Sequence, residues 1–322
     1  MAASRARPIA IYYEHPHWFG PLFEELERRG TPHARLHADQ HRFDPADRPP
    51  YALVFNRMSP SAWQRGHGHA VFYTHHFLGH LERHGVRVIN GSRAFTTETS
   101  KALQLSLLDR LGLPYPRTRV INHPGEALDA ADGLRFPIVV KPNVGGSGAG
   151  VRRFDTPDAL AAAAADGNGG GLELGPDRTA LVQEFIPAEE GRITRIEVLG
   201  YRFLYAIRVY SSGDTFNLCP ADVCRTTDGA ELARAACPAD APRNGLQVEG
   251  YAPPPEITAE VERIAASSGI EVGGVEYVTD ARDGRRYYYD VNALSNFVAD
   301  APRVVGFDPF ARLADFLEKE AR

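Results

Sequence analysis

Residues 138–154, IVVKPNVGGSGAGVRRF, place a glycine-rich loop between an apolar strand and a second strand rather than between a strand and a helix. That placement limits the fold more than any other feature, because loops that hold phosphate on a helix N-terminus run straight into that helix. Here VRRF (151–154) reads as a strand. Only then do Thr156, Pro157 and Asp158 open a helix, with threonine at the N-cap and proline at the first helical position. A Walker-type loop requires Gly-Lys-Ser/Thr, whereas this one ends Gly148-Ala149-Gly150-Val151. The GxGxxG dinucleotide pattern fails at Val151, where its third glycine belongs. The remaining functional reading is a hairpin flap: backbone N–H groups of Gly146, Ser147 and Gly148 close over phosphates, and Lys141 supplies a point charge. An ordinary surface turn accounts for the segment equally well when it is taken alone.

Around this loop the chain divides into three blocks. In the first ~90 residues, strand-like runs at 8–14, 51–57 and 86–90 alternate with helical runs at 21–30 and 70–84, the pattern of a Rossmann-like parallel sheet. Thr96, Thr97 and Glu98 are expected to open a further helix, with Leu103, Leu107, Leu108 and Leu111 on its buried face. Strands at 193–200 and 201–210 begin the last block. An irregular stretch (211–254), a helix (255–269), a hairpin and a terminal helix (308–321) complete it. The expected domains are an N-terminal α/β unit (1–95), an α+β unit with the flap (96–190) and a second α+β unit (191–322). Arg57-Met58-Ser59-Pro60-Ser61 closes a strand of the first unit, where α/β sheets place ligands, so it is either a ligand contact or a plain loop.

Composition excludes several function classes. A net charge of −5 gives no basic field for nucleic acid, and no run approaches the ~20 apolar residues of a membrane span. Cys219, Cys224 and Cys237 form no CxxC pair and are too few for a disulfide framework, which points to a reducing, cytoplasmic setting. His76, His80 and His84 share one helical face. Without a nearby carboxylate cluster they read better as an exposed polar face than as a second metal site.

Two further segments carry chemistry. Gln183-Glu184-Phe185-Ile186 is an apolar strand exit that can present backbone groups to an adenine, while Glu189 or Glu190 takes ribose hydroxyls; a buried strand with solvated acids is the plain alternative. In GGVEYVTDARDGRRYYYDVNALSNF (273–297), Asp290 and Asn292 lie two apart on a strand and so share a face. A three-residue loop at 282–284 would pair Glu276 with Asp290 on that face; a two-residue loop would turn Glu276 away unless a bulge intervened. Three oxygen donors on one surface suit Mg²⁺.

In order and spacing, Lys101, Lys141 with its glycine loop, residues 183–186, Glu276 and Asp290-Val291-Asn292 resemble the ATP-grasp superfamily. The likeness is nearest its ribosomal-protein glutamate-ligase and glutathione-synthetase-like branch, in detail from about residue 96 onward. The resemblance implies ATP between two α+β subdomains, with Lys101 and Lys141 on phosphates and Gln183, Glu184, Phe185 and Ile186 around adenine. It implies two Mg²⁺ ions, with Mn²⁺ as a substitute, on Glu276, Asp290 and Asn292. The implied reaction joins a carboxylate of a small molecule or peptide to an amine through an acyl phosphate; homo-oligomerisation stays open. Arg195 and Arg208, on adjacent expected strands, and Asn217 are candidates to stabilise the tetrahedral intermediate, although strand arginines are more often ion-pair residues. Three departures stand out. Asp290 replaces the usual glutamate, Ile193 stands where an aspartate often precedes the equivalent of Arg195, and NLCPADVC (217–224) replaces the glutamate ligases' basic tract. A non-catalytic ATP sensor and a carboxylate kinase are the competing readings.

Overall fold

The computed structural model describes residues 7–15, 17–146, 150–166, 171–210 and 247–322. Ser147, Gly148, Asn217 and the three cysteines lie outside these residues.

Three sheets organise the described chain. The first contains β1 (Ile9–Tyr13), β2 (His33–His37), β3 (Leu53–Arg57) and β4 (Arg87–Ile89) in the order β2-β1-β3-β4, all parallel. The buried runs of its two central strands, IAIYY and LVFNR, are what a parallel sheet covered on both faces requires. Leu22, Phe23 and Leu26 of α1 (Gly20–Arg29) pack on one side, and Phe77, Leu78 and Leu81 of α2 (Gly68–Arg83) on the other.

The second sheet is antiparallel: β5 (Thr118–Ile121), β6 (Ile138–Pro142), β7 (Arg152–Phe154) and β8 (Ala180–Glu184), ordered β5-β8-β6-β7. The glycine loop joins β6 to β7, strand to strand as expected. The third sheet, also antiparallel, holds β9 (Ala188–Leu199), β10 (Arg202–Tyr210), β11 (Gln247–Tyr251), β12 (Val272–Asp280) and β13 (Arg286–Asn292), ordered β11-β10-β9-β12-β13. Among the described residues, no helix is long and apolar enough to cross a membrane.

The expected helix start at Thr96 needs correction. A first helix, α3 (Ser92–Glu98), ends there, and α4 (Lys101–Arg110) begins anew with the Ser100 hydroxyl accepting from Leu103 N–H. The break is stabilised from outside: Asn143 Oδ1 accepts from Ala102 N–H at 2.9 Å. Restarting the helix also rotates its faces, so Leu103 is 47% exposed while Gln104, Leu105, Leu107 and Leu108 are buried. Two strands were not anticipated, β2 and β11; the latter falls in the stretch expected to be irregular. Glu189 and Glu190, expected beyond a strand end, lie at the start of the long β9.

Candidate active site

The β12–β13 hairpin decides whether the acidic residues meet, and it does so by an unexpected route. Near the turn, Asp280 N–H donates to Arg285 O at 2.8 Å and Thr279 pairs with Arg286, leaving four residues, 281–284, in the loop. That even count would turn Glu276 away from Asp290. A bulge corrects it: Tyr277 pairs with Tyr288, but Glu276 pairs with Asp290, leaving Tyr289 as the extra residue. Tyr289 and Asp290 consequently project on the same side as Glu276, and the Tyr289 hydroxyl donates to Glu276 Oε2 at 2.7 Å. The expected three-residue loop is replaced by a longer loop plus a bulge with the same net register.

Around this face gathers a buried set of charges. Lys101, at the start of α4, donates to Asp290 Oδ1 at 2.9 Å. Burial lowers the Lys101 pKa, but the Asp290 carboxylate outweighs it and leaves the amine above its ordinary value. Asp290 is in turn held below the usual carboxylate range, since Lys101 overcomes the effect of burial. Burial pushes Glu276 upward against the pull of Arg195. Lys141, 8% exposed on β6, has no ion pair or side-chain hydrogen bond among the described residues, and burial with neighbouring Lys101 lowers its pKa to about 8.

Asn292 Nδ2 donates to Asp290 Oδ2 at 3.1 Å, which leaves the amide oxygen of Asn292 as its free coordinating atom. The donor set is therefore oxygen-only and shared with a lysine pair, the chemistry that Mg²⁺ with phosphate oxygens requires. Among the described residues there is no group of three or more His, Cys, Asp or Glu that could hold a metal. Two carboxylates and an amide fit a magnesium ion only when substrate oxygens and water complete its shell.

The two arginines part company. Arg195 pairs with Glu276 and Ile207 across the sheet, whereas Arg208 pairs with Thr194, so the two side chains leave opposite faces. Arg195 is 2% exposed and donates to Glu197 at 2.6 Å, Glu276 at 2.6 Å and Ser295 at 3.1 Å. Arg208 instead lies 3.9 Å over the Tyr251 ring. They cannot converge on one oxyanion, and the expectation that they act together is corrected.

The two glycines before Val275 explain how Arg195 fits. A Cβ on Gly274 would stand 2.8–2.9 Å from the guanidinium, and one on Gly273 would collide with the carbonyl oxygen of Asn292. Gly273→Ala is therefore expected to cost at least ~1–3 kcal/mol, the range for forced overpacking. Urea denaturation checks this; a midpoint equal to wild type would show that the strands can separate without penalty.

The remaining candidates sit on neighbouring elements. Gly146 approaches the loop after β3, where Gln64 donates to its carbonyl at 3.1 Å and a Cβ would come within 2.9 Å of Ser61. Gln183 Nε2 donates to Thr118 at 2.8 Å, and Glu184 accepts from Arg135 N–H at 3.0 Å, so both side chains serve the sheet. Phe185 N–H donates to Pro137 O at 3.0 Å, and Ile186 is buried beside it. Glu189 pairs with Arg192 at 2.8 Å. His80 stacks on Phe43 and contacts His84 at 4.5 Å, an aromatic helix surface.

Several residues here escaped the sequence reading. Glu98, whose pKa burial raises to about 7, accepts from the Ala293 and Leu294 N–H groups. Gln104 accepts from Val291 N–H at 3.1 Å, and Asn90 reaches Ala293 O at 2.9 Å. The one local signal was a polar Gln104 among leucines on the inner face of a helix.

A family model described as a RimK-like ATP-grasp domain matches residues 98–219. The large chain of carbamoyl phosphate synthase from Thermus thermophilus is 28% identical over 257 residues, 75% of this chain but 22% of that one. This chain thus spans about a fifth of the length of the curated relatives it matches. Among solved structures, the ATP-grasp ligase PsnB, complexed with a phosphomimetic variant of minimal precursor, Mg and ADP, has a TM-score of 0.66 at 19% identity, covering 99% of this chain and 100% of that one. The RimK domain protein ATP-grasp from Sphaerobacter thermophilus has a TM-score of 0.66 at 21% identity, covering 96% and 98%. Residues 98–219 thus match a RimK-like ATP-grasp domain, and the chain shares the fold of these ATP-grasp structures.

Proposed function

We propose that this protein is an ATP-dependent carboxylate–amine ligase, forming an amide or peptide bond and releasing ADP and phosphate. The observation that carries this reading is Lys141, a buried amine without an ion pair among the described residues, facing a lysine–carboxylate set. Burying an uncompensated ammonium is costly unless a bound anion offsets it. In this reading Lys101 and Lys141 hold the phosphates, and the strand exit 183–186 holds adenine through its backbone. Glu189 turns from Arg192 to the ribose. Glu276, Asp290 and Asn292 hold two Mg²⁺ ions; when bound, the metal neutralises charge on the transferring phosphoryl group.

A carboxylate oxygen of the substrate attacks the γ-phosphorus and ADP departs. The amine then attacks the acyl carbon, phosphate leaves with the C–O electron pair, and the amine proton goes to solvent or a phosphate oxygen. Arg195 holds Glu276 in place; Arg208, on the other sheet face, has no part in this site. The division at residues 95 and 190 belongs to the same proposal, with ATP between the second and third units. PsnB was solved with a precursor peptide and a further neighbour is a D-cycloserine synthetase, so peptide and amino-acid carboxylates are the first substrates to try.

ADP release over a panel of amino acids and dipeptides, with hydroxylamine as the trapping amine, tests the reading. ADP formed only with a carboxylate, together with its hydroxamate, is expected. ADP and hydroxamate without any amide when an amino acid replaces hydroxylamine would favour a carboxylate kinase, and no ADP across the panel a nucleotide sensor.

A further inference from the structure

Resting on the ligase reading, and deepening it, is a clamp on one peptide. Asn292, the last residue of β13, is followed by Ala293, whose backbone is gripped from three directions by side chains that precede residue 100. Asn90 Nδ2 donates to Ala293 O at 2.9 Å, Arg57 Nη1 donates to the same oxygen at 3.0 Å, and Glu98 Oε2 accepts from Ala293 N–H. All three side chains are buried.

Each grip is specific in its chemistry. Asn90 uses its whole amide: Nδ2 also donates to Val272 O at 2.6 Å, and Oδ1 accepts from Glu271 and Val272 N–H at 2.9 and 3.1 Å. Two donors on one side and two carbonyls on the other leave one orientation of the amide. Asn90 takes a left-handed φ of 55°, which asparagine tolerates better than most residues. Arg57 extends its hold to Ser295 O, and Glu98 extends its own to Leu294 N–H at 3.4 Å.

Fold stability alone does not call for this arrangement. Burying a guanidinium and a carboxylate against backbone groups is expensive, and apolar packing would tie the two sheets together at less cost. What the clamp confers is placement. Coordinating groups must be held to within ~0.5 Å of productive geometry, and peptide hydrogen bonds adjoining the residue achieve that. Glu98 also lies three residues before Lys101 and Gln104 three after it, and Gln104 secures Val291 on the other side of Asn292. The junction of α3 and α4 therefore delivers the lysine that pairs with Asp290 and fixes the strand that carries Asn292.

We propose that Glu98, Asn90 and Arg57 are positioning residues that set metal occupancy by holding the Ala293 peptide, so that the N-terminal sheet governs the metal-binding edge of β13. The test is nucleotide binding to the full chain, followed with a fluorescent ATP analogue in EDTA and across a Mg²⁺ titration. Glu98→Ala and Arg57→Lys are expected to raise the half-saturating Mg²⁺ concentration about tenfold, the lower end for residues supporting a ligand. Metal-free nucleotide affinity should stay within about twofold. Glu98→Gln should remain within about threefold of wild type for Mg²⁺, because its amide oxygen can accept both N–H groups.

An unchanged Mg²⁺ midpoint in Glu98→Ala and Arg57→Lys would overturn the inference, as would an equal loss of affinity with and without metal. Wild type binding nucleotide without any Mg²⁺ dependence would remove the metal reading, and this inference with it. Should Glu98→Ala fail to fold by circular dichroism, Arg57→Lys decides.

Discussion

Asn292→Ala is expected to lower the rate of ADP release by ~10²–10³-fold, the range for losing one pre-set group that stabilises transition-state charge. The geometry makes this substitution discriminating. Asn292 is half-buried, and its backbone partners are Gly274 in the sheet and the clamped peptide that follows, none of which uses its side chain. Among the described residues, the one side-chain hydrogen bond lost is that to Asp290. Denaturant stability should therefore fall by no more than ~1 kcal/mol, the net value of an ordinary hydrogen bond. The paired measurements are initial rates and urea unfolding on the same preparation. A variant that turns over within fivefold of wild type would take Asn292 out of the metal site. A large loss of stability accompanying the loss of rate would make the residue structural.

Lys141→Met should weaken ATP binding by ~10–100-fold, about 1.5–3 kcal/mol for a hydrogen bond to a charged group. Methionine keeps the length and the buried apolar stem, so the packing of β6 should survive. The lysine also carries a signature that methionine cannot imitate. Burial lowers its pKa from 10.5 to about 8, and phosphate oxygens beside it would raise that value again. Between the lowered and the restored pKa, binding must take up protons. Uptake should therefore be near zero at pH 6.5, where the amine is already charged, and rise toward one proton by about pH 9. Affinity should fall as pH rises through 8. Calorimetry in buffers of different ionisation enthalpy measures the proton directly. Proton uptake at pH 9 that persists in Lys141→Met would assign it to another group.

The glycine loop between β6 and β7 and the parallel sheet were legible because each depends on neighbours in the chain. Apolar periodicity sets which strand residues are buried, and a proline after an N-cap threonine begins a helix wherever the rest of the protein lies. The same local logic misplaced the helix start at Thr96, where Ser100 and a distant Asn143 cap a second helix instead. It also placed Arg195 and Arg208 together, since adjacent strands were visible but their register was not. One residue of offset sends a side chain to the other face.

What the sequence determined by itself was local: which segments are strands, where glycine permits close approach, and that Asp290 and Asn292 share a face, because a strand alternates every two residues. Whether Glu276 joins them was decided by the Tyr289 bulge, which offsets a loop one residue longer than expected. The hold of Asn90, Arg57 and Glu98 on Ala293 was likewise decided only by tertiary structure. Those partners lie 195 to 236 residues away along the chain. A buried carbonyl must find donors, but nothing in its own neighbourhood specifies which ones, so only the packing of the N-terminal sheet against β13 selects them.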